Sequence, residues 1–156
     1  MCLMAILNPK DEVLVYEPAW VSFTEQIRLA YGIPVHIPYD ETIYNFEKYI
    51  TDKTKMIIIN NPNNPTGHIM SSSEMDAVVA AADRVGAWLL ADEVYSGTER
   101  LTDEKTPSFW SRYDKVLANN SLSKAYGLPG LRVGWIVGPP DVIDAAWARH
   151  EYTTCL

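Results

Sequence analysis

The sequence is poor in cysteine and has no excess of positive charge, and each shortage narrows what the protein can be. Its two cysteines, Cys2 and Cys155, lie at opposite ends of 156 residues. That pattern supplies neither a disulfide framework nor the ligand spacing of a metal site, so no metal is expected and a reducing, cytoplasmic setting is the default. Lysine and arginine total 13 against 20 acidic residues, a formal net charge of −7. Such a balance argues against a nucleic acid or an anionic membrane as partner, while a locally positive site can still take an anionic ligand. Long hydrophobic runs are missing too. Residues 1–7 are apolar but have no basic start and run straight into Asn8-Pro9-Lys10-Asp11. They are too short for a signal peptide or a membrane span and read as the end of a helix. There is no internal repeat, low-complexity segment or linker. Asn119-Asn120-Ser121 matches a glycosylation acceptor pattern, which is short enough to arise by chance.

What is present is a globular composition, 47% apolar and 21% charged, on a chain long enough for one domain with a real core. Short apolar runs rich in β-branched residues alternate with helical patterns. Strands are expected at residues 13–16, 33–37, 55–60, 87–91, 115–118 and 133–137. Met56-Ile57-Ile58-Ile59 is apolar at every position, as a strand buried on both faces of a parallel sheet requires. Between the strands, Phe23, Ile27 and Ala30 recur at helical spacing, and residues 45–50 suit a short helix. The clearest helix opens with the capping-box pair Ser71 and Glu74, carries a stripe of Met75, Val78, Val79 and Ala82, and stops at Gly86. Pro139-Pro140 opens a last helix over residues 141–150. Trp88, Trp110, Trp135 and Trp147 read as core or interface residues. The alternation implies an α/β fold, a mainly parallel sheet with flanking helices.

Ligands of such sheets bind beyond the carboxyl ends of the strands, and three polar motifs fall there. Asn61-Pro62-Asn63-Asn64-Pro65-Thr66-Gly67 follows one strand; by itself it is as well read as a rigid turn. Asp92-Glu93-Val94-Tyr95 follows another, and an acidic pair at a strand end is commonly a solvated cap. The third, Ser121-Leu122-Ser123-Lys124-Ala125-Tyr126-Gly127, continues to Leu131-Arg132-Val133-Gly134-Trp135. Two hydroxyls, backbone N–H groups and a guanidinium together suit a phosphate.

In this order the three motifs resemble the fold-type I, pyridoxal-phosphate-dependent aminotransferases, the aspartate-aminotransferase-like family, over nearly the whole chain. The resemblance implies pyridoxal 5′-phosphate as cofactor and an amino acid and a 2-oxo acid as substrates. It implies that Lys124 forms the Schiff base and moves the substrate proton, and that Asp92 pairs with the pyridine nitrogen. Tyr95 and Asn64 would bond the ring oxygen, Ser121, Ser123 and Arg132 the phosphate, and Trp20 would stack on the ring, although Trp20 reads nearly as well as a core residue. Residues 1–150 would then be a partial cofactor-binding large domain and residues 151–156 the start of a connection to a small domain. Complete members of the family are homodimers and are more than twice as long. The resemblance therefore implies a central piece of the large domain, with the loop that completes the phosphate site and the arginine that clamps the substrate carboxylate lying outside it. Exposed apolar surface is expected as a consequence. Lys10 departs from the glycine usual at its turn. Arg149, His150 and Tyr152 would lie near substrate or on a solvated helix end. Two other functions share the motif set: another pyridoxal-phosphate reaction on an amino acid (lyase, decarboxylase or cyclase), and a non-catalytic sensor domain.

Overall fold

The computed structural model describes residues 1–38 and 40–153; Tyr39 and residues 154–156, which include Cys155 and the end of the expected connection, lie outside the described residues. Six strands run β1 (Glu12–Tyr16), β2 (Ile33–Ile37), β3 (Thr54–Asn60), β4 (Trp88–Asp92), β5 (Val116–Ser121) and β6 (Gly134–Val137). They form one sheet in the order β2-β1-β3-β4-β5-β6. Every neighbouring pair is parallel except the last, β5 with β6. Four helices accompany them, α1 (Cys2–Ile6), α2 (Ser22–Leu29), α3 (Ser72–Val85) and α4 (Pro140–His150), with 3-10 turns at Phe46–Tyr49 and Pro129–Leu131. The mainly parallel α/β architecture expected from the alternation is the one found.

The burial of β3 follows from its position between two helical layers. Successive side chains of a strand point to opposite faces. On one face Ile57 and Ile59 join Leu14, Leu89 and Ala91 beneath Met75, Val78, Ala81 and Ala82 of α3. On the other, Met56 and Ile58 join Val13, Val15, Leu90 and Leu117 beneath Phe23 and Ile27 of α2, with Cys2 and Leu3 of α1 alongside. Both faces are dry, so the strand has no polar face to show and its sequence has no alternation.

Three expectations needed adjustment. In α3 the buried stripe includes Ala81, and Val79 is only partly buried; a small side chain at 81 lets the helix approach the sheet. β5 runs three residues past its apolar part, through Asn119, Asn120 and Ser121. Those polar residues stay in the strand because Asp92 on one side and Trp135 and Gly134 on the other pair with them. The acceptor-like pattern at Asn119 is thus strand, not loop. Among the tryptophans only Trp88 is half-buried, while Trp110, Trp135 and Trp147 are exposed, so none of the last three is core in this chain. Lys10 takes a φ of 76°, the left-handed turn that glycine would occupy without strain.

The long connection after β4 has a fixed course. Phe109 is wholly buried, and its N–H donates to Glu93 Oε1 at 2.8 Å, as does Ser108 Oγ. Further out, Glu99 accepts from the N–H groups of Gly97 and Thr106, both at 2.8 Å, and from Thr106 Oγ1. Burial pushes the Glu99 carboxyl up, but hydrogen bonds from the side chain and N–H of Thr106, and from the backbone of Glu99 and Gly97, outweigh it. The result is a fall from an ordinary 4.5 to about 2.

Two outcomes are expected from these features. Ser71 accepts from Glu74 N while the Glu74 side chain returns a bond to Ser71 N, a complete capping box. Ser71→Ala should lower the unfolding free energy by about 1 kcal/mol in urea titrations, with Ser72→Ala nearly silent as control. A carboxyl held below its unfolded value contributes stability above the unfolded pKa and loses it as pH falls through the folded one. Between pH 4.5 and about 2, Glu99→Gln should therefore flatten the loss of thermal stability; parallel curves for variant and parent would remove Glu99 from the acid response.

Candidate active site

The carboxyl ends of β1, β3, β4 and β5 share one edge of the sheet, because these strands are parallel. β6 runs the other way and so begins at that edge, with Gly134 opposite Ser121. All three polar motifs are gathered there, as the order of elements requires.

Asp92 ends β4 and is 9% exposed. Its Oδ1 accepts from Val94 N at 3.2 Å and from Asn119 Nδ2 at 3.1 Å. No donor among the described residues reaches Oδ2. Asn61 Nδ2 is, among those residues, the one unpartnered side-chain polar atom sealed from the surface, so the undonated Asp92 Oδ2 keeps a little contact with the surface. Burial pushes the Asp92 carboxyl up, and the bonds from Val94 and Asn119 oppose that. No cation among the described residues pairs with it. A buried carboxylate with two donors on one oxygen and none on the other fits a ligand that brings its own cationic N–H.

Asn60 ties this strand end to the next motif. Its Nδ2 donates to the Asp92 carbonyl at 2.9 Å, and its Oδ1 accepts from Asn64 N at 2.7 Å. Asn64 is thereby fixed relative to Asp92, and it lines one cavity together with Tyr95. Tyr95 sits in the turn after β4, where Thr98 N and Oγ1 both donate to its carbonyl. Gly97 follows with a φ of 97°, and a Cβ there would lie 3.3 Å from the Cβ of Ala125. That close approach packs the turn against the residue after Lys124. The Lys124 ammonium stands 5.5 Å from the centre of the Tyr95 ring, an exposed side chain with a cation–π contact.

The segment from Ser121 to Arg132 folds back on itself. Leu122 N donates to Val133 O at 3.0 Å and Leu128 N to Leu122 O at 3.0 Å, which returns Arg132 to the level of Ser121 and Ser123. Ser121 Oγ accepts from Ser123 N at 3.2 Å. Arg132 takes a φ of 52°, and its exposed guanidinium donates to Pro129 O at 2.7 Å and pairs with no carboxylate among the described residues. A Cβ on Gly134 would lie 3.0 Å from Asn120 O, so the close pairing of β6 with β5 depends on glycine there. Two hydroxyls and an unpaired guanidinium on one turn suit an anionic group. Trp20 is 42% exposed and meets Phe23 edge-on, ring centres 5.4 Å apart; its link to the other motifs is indirect, through Asn63 Nδ2, which donates to Pro18 O at 3.1 Å.

Two cavities flank the group. One of about 400 Å³ lies between the asparagine-rich loop and residues 95–102, with Asn64, Tyr95 and Arg100 in its wall. The other, about 410 Å³, lies where β1 and β3 diverge, floored by Val15, Ile58 and Ile59. The strand order reverses there, the usual ligand crevice of an open α/β sheet. Its polar rim is already paired, however: Glu17 with His36 and Ala19 N, His68 with Glu74. The unspent groups belong to the Asp92 side. Sequence reasoning found the residues there with chemical reputations and missed Asn60 and Asn119, which hold Asp92. The available signal was an asparagine ending each of two apolar strands.

The comparisons with known proteins agree with this geometry. The family model for aminotransferase class I and II matches residues 1–152. An aspartate aminotransferase of Streptomyces avermitilis is 36% identical, over 96% of this chain and 39% of its own length. An asparagine–oxo-acid transaminase of Streptococcus mutans is 38% identical, over 96% of this chain and 40% of its own. Among solved structures, the Thermus thermophilus aspartate aminotransferase with maleate superposes with a TM-score of 0.88 at 30% identity, covering 97% of this chain and 41% of that one. A PLP-dependent aminotransferase of Streptococcus suis gives 0.86 at 33%, covering 98% and 42%. The chain thus spans about 40% of the length of the curated relatives it matches. With the family model covering nearly every residue and the fold shared, the chain belongs to the aminotransferase class I and II family.

Proposed function

We propose that this chain is the cofactor-holding part of a pyridoxal-phosphate-dependent aminotransferase, which transfers an amino group between an amino acid and a 2-oxo acid. The observation that carries the reading is the buried Asp92 carboxylate with Oδ2 undonated, grouped with Lys124 and Tyr95 at the same sheet edge. Pyridoxal phosphate, when bound, supplies an electron-withdrawing ring that stabilises negative charge at the substrate α-carbon. Asp92, as an anion, would accept a hydrogen bond from the protonated ring nitrogen and so keep the proton on that nitrogen. Asn64 and Tyr95 would orient the ring through its oxygen, and Trp20 would stack on its face. Ser121, Ser123 and Arg132 bind the phosphate, for which a guanidinium has the matching fork of donors. Lys124 is the attachment point, and its amine, once released, takes the proton from the substrate α-carbon.

The activities of the relatives favour amino transfer over the lyase, decarboxylase, cyclase and sensor alternatives. The same reading has residues 1–150 acting as a partial large domain. It also has the protein working in the cytoplasm, which two widely separated cysteines suit, and as a homodimer. Exposed apolar side chains beside the site, Leu131, Trp135 and Val137 among them, suit burial against further protein.

Two experiments test the site. Incubation with pyridoxal phosphate, borohydride reduction and peptide mass spectrometry should place the reduced adduct on Lys124 and lose it in Lys124→Ala; a specific adduct on another lysine would overturn the assignment. Arg132→Ala should weaken cofactor binding by about tenfold or more in fluorescence titrations, the usual cost of losing a charged hydrogen-bond partner. An unchanged affinity would remove Arg132 from the phosphate site.

A further inference from the structure

Asp92 and Asn119 are direct neighbours in the parallel pairing of β4 with β5, and Glu93 N donates to Asn119 O at 2.9 Å. The backbone thus delivers the Asn119 side chain to the Asp92 carboxylate with no freedom in register. Its amide N reaches Oδ1 at 3.1 Å, the oxygen that Val94 N also reaches, at 3.2 Å. Two donors arriving at one oxygen from different elements, one a strand neighbour and one the following turn, fix the rotation of the carboxylate about its last bond. They leave Oδ2 as the oxygen that no donor among the described residues reaches. With Val94 alone, the carboxylate would rotate and either oxygen could turn inward.

From this geometry we propose that Asn119 is a positioning residue for Asp92: its side-chain amide spends Oδ1, so that Oδ2 is presented, ionised, to the cationic ring nitrogen of the cofactor. The inference rests on the function proposed above and assigns a role to a residue that makes no contact with the ring in that reading. The chemistry requires a donor at this position. An amide oxygen turned toward the carboxylate would repel it, and an apolar side chain would leave a buried oxygen with one long bond. Asn119 also opposes the effect of burial, which favours the protonated acid. A protonated Asp92 would not hold a proton on the ring nitrogen.

The test compares Asn119→Leu, which keeps the approximate shape and removes the donor, with Asn119→Gln, which keeps a donor and changes the shape. Carbon-13 NMR of the Asp92 carboxyl is followed against pH in the unliganded chain, and pyridoxal phosphate affinity is measured alongside, with Asp92→Asn as reference. If Asn119 acts as donor, Leu moves the Asp92 titration to higher pH and weakens cofactor binding by about tenfold, while Gln lies between Leu and the parent. If Asn119 only packs, the order reverses, Leu resembling the parent and Gln being the worse, and the proposal fails. Should Asn119→Leu show no cooperative thermal transition, Asn119→Ser replaces it with the same expectations. The NMR readout needs no cofactor, so the two ideas fail separately. An unmoved Asp92 titration sinks the role of Asn119. A moved titration with cofactor affinity unaffected by Asp92→Asn sinks the role of Asp92 at the ring.

Discussion

Burying a carboxylate at the end of a central strand costs several kcal/mol unless hydrogen bonds and an opposite charge offset it, and the site edge of this sheet is organised around that cost at Asp92. Two donors meet one oxygen, and the strand's own carbonyl is held twice, by Asn61 N and by Asn60 Nδ2. This constraint dictates residue types on three strands. The apolar runs of β3, β4 and β5 each turn abruptly polar towards the carboxyl end, at Asn60, Asp92 and Asn119. The core needs the apolar part and the carboxylate needs the polar end. Among the described residues no cation pairs with that carboxylate, and the family's cofactor carries one.

The adjacent acid has the opposite task. Asp92 and Glu93 are consecutive, and Glu93 is just as buried, but its Oε1 takes Ser108 Oγ and the N–H of Phe109, both from the connection that follows. One acid of the pair is held by the neighbouring strand at the motif-bearing end of the sheet, while the other pins the long connection that follows. That connection shapes the site indirectly. Gly97, within it, packs on Ala125, and so holds Tyr95 beside Lys124. A loop with no regular secondary structure is thereby made specific by buried carboxylates and one left-handed glycine.

Much was legible before any coordinates. Helix α3 announced itself through Ser71, Glu74 and Gly86, because capping is local chemistry that needs no tertiary partner. β3 was legible because four consecutive apolar residues have no other economical home than a sheet covered on both faces. The three motifs were legible as motifs, and their order carried the family. Asn119 was not: in sequence it sat in a chance match to an acceptor pattern, and β5 was expected to stop before it. Its role depends on which strand lies beside β5, and adjacency of β4 and β5 is a long-range fact. The exposed tryptophans went unrecognised for a similar reason, since exposure is decided by what covers a residue and not by its hydropathy.

By itself, then, the sequence determined the alternating elements, the two-sided burial of the sheet and the identity of the groups with chemical reach, because periodicity, capping and composition act within a few residues. Tertiary structure alone decided that Asn119 and Val94 meet the same oxygen of Asp92, that Asn60 links Asp92 to Asn64, and that Arg132 returns to the level of Ser121. The bonds from Val94 and to Asn64 are local, but Asn119 and Asn60 reach Asp92 across 27 and 32 residues; strand register and backbone pairing fix those contacts, and no local preference encodes them.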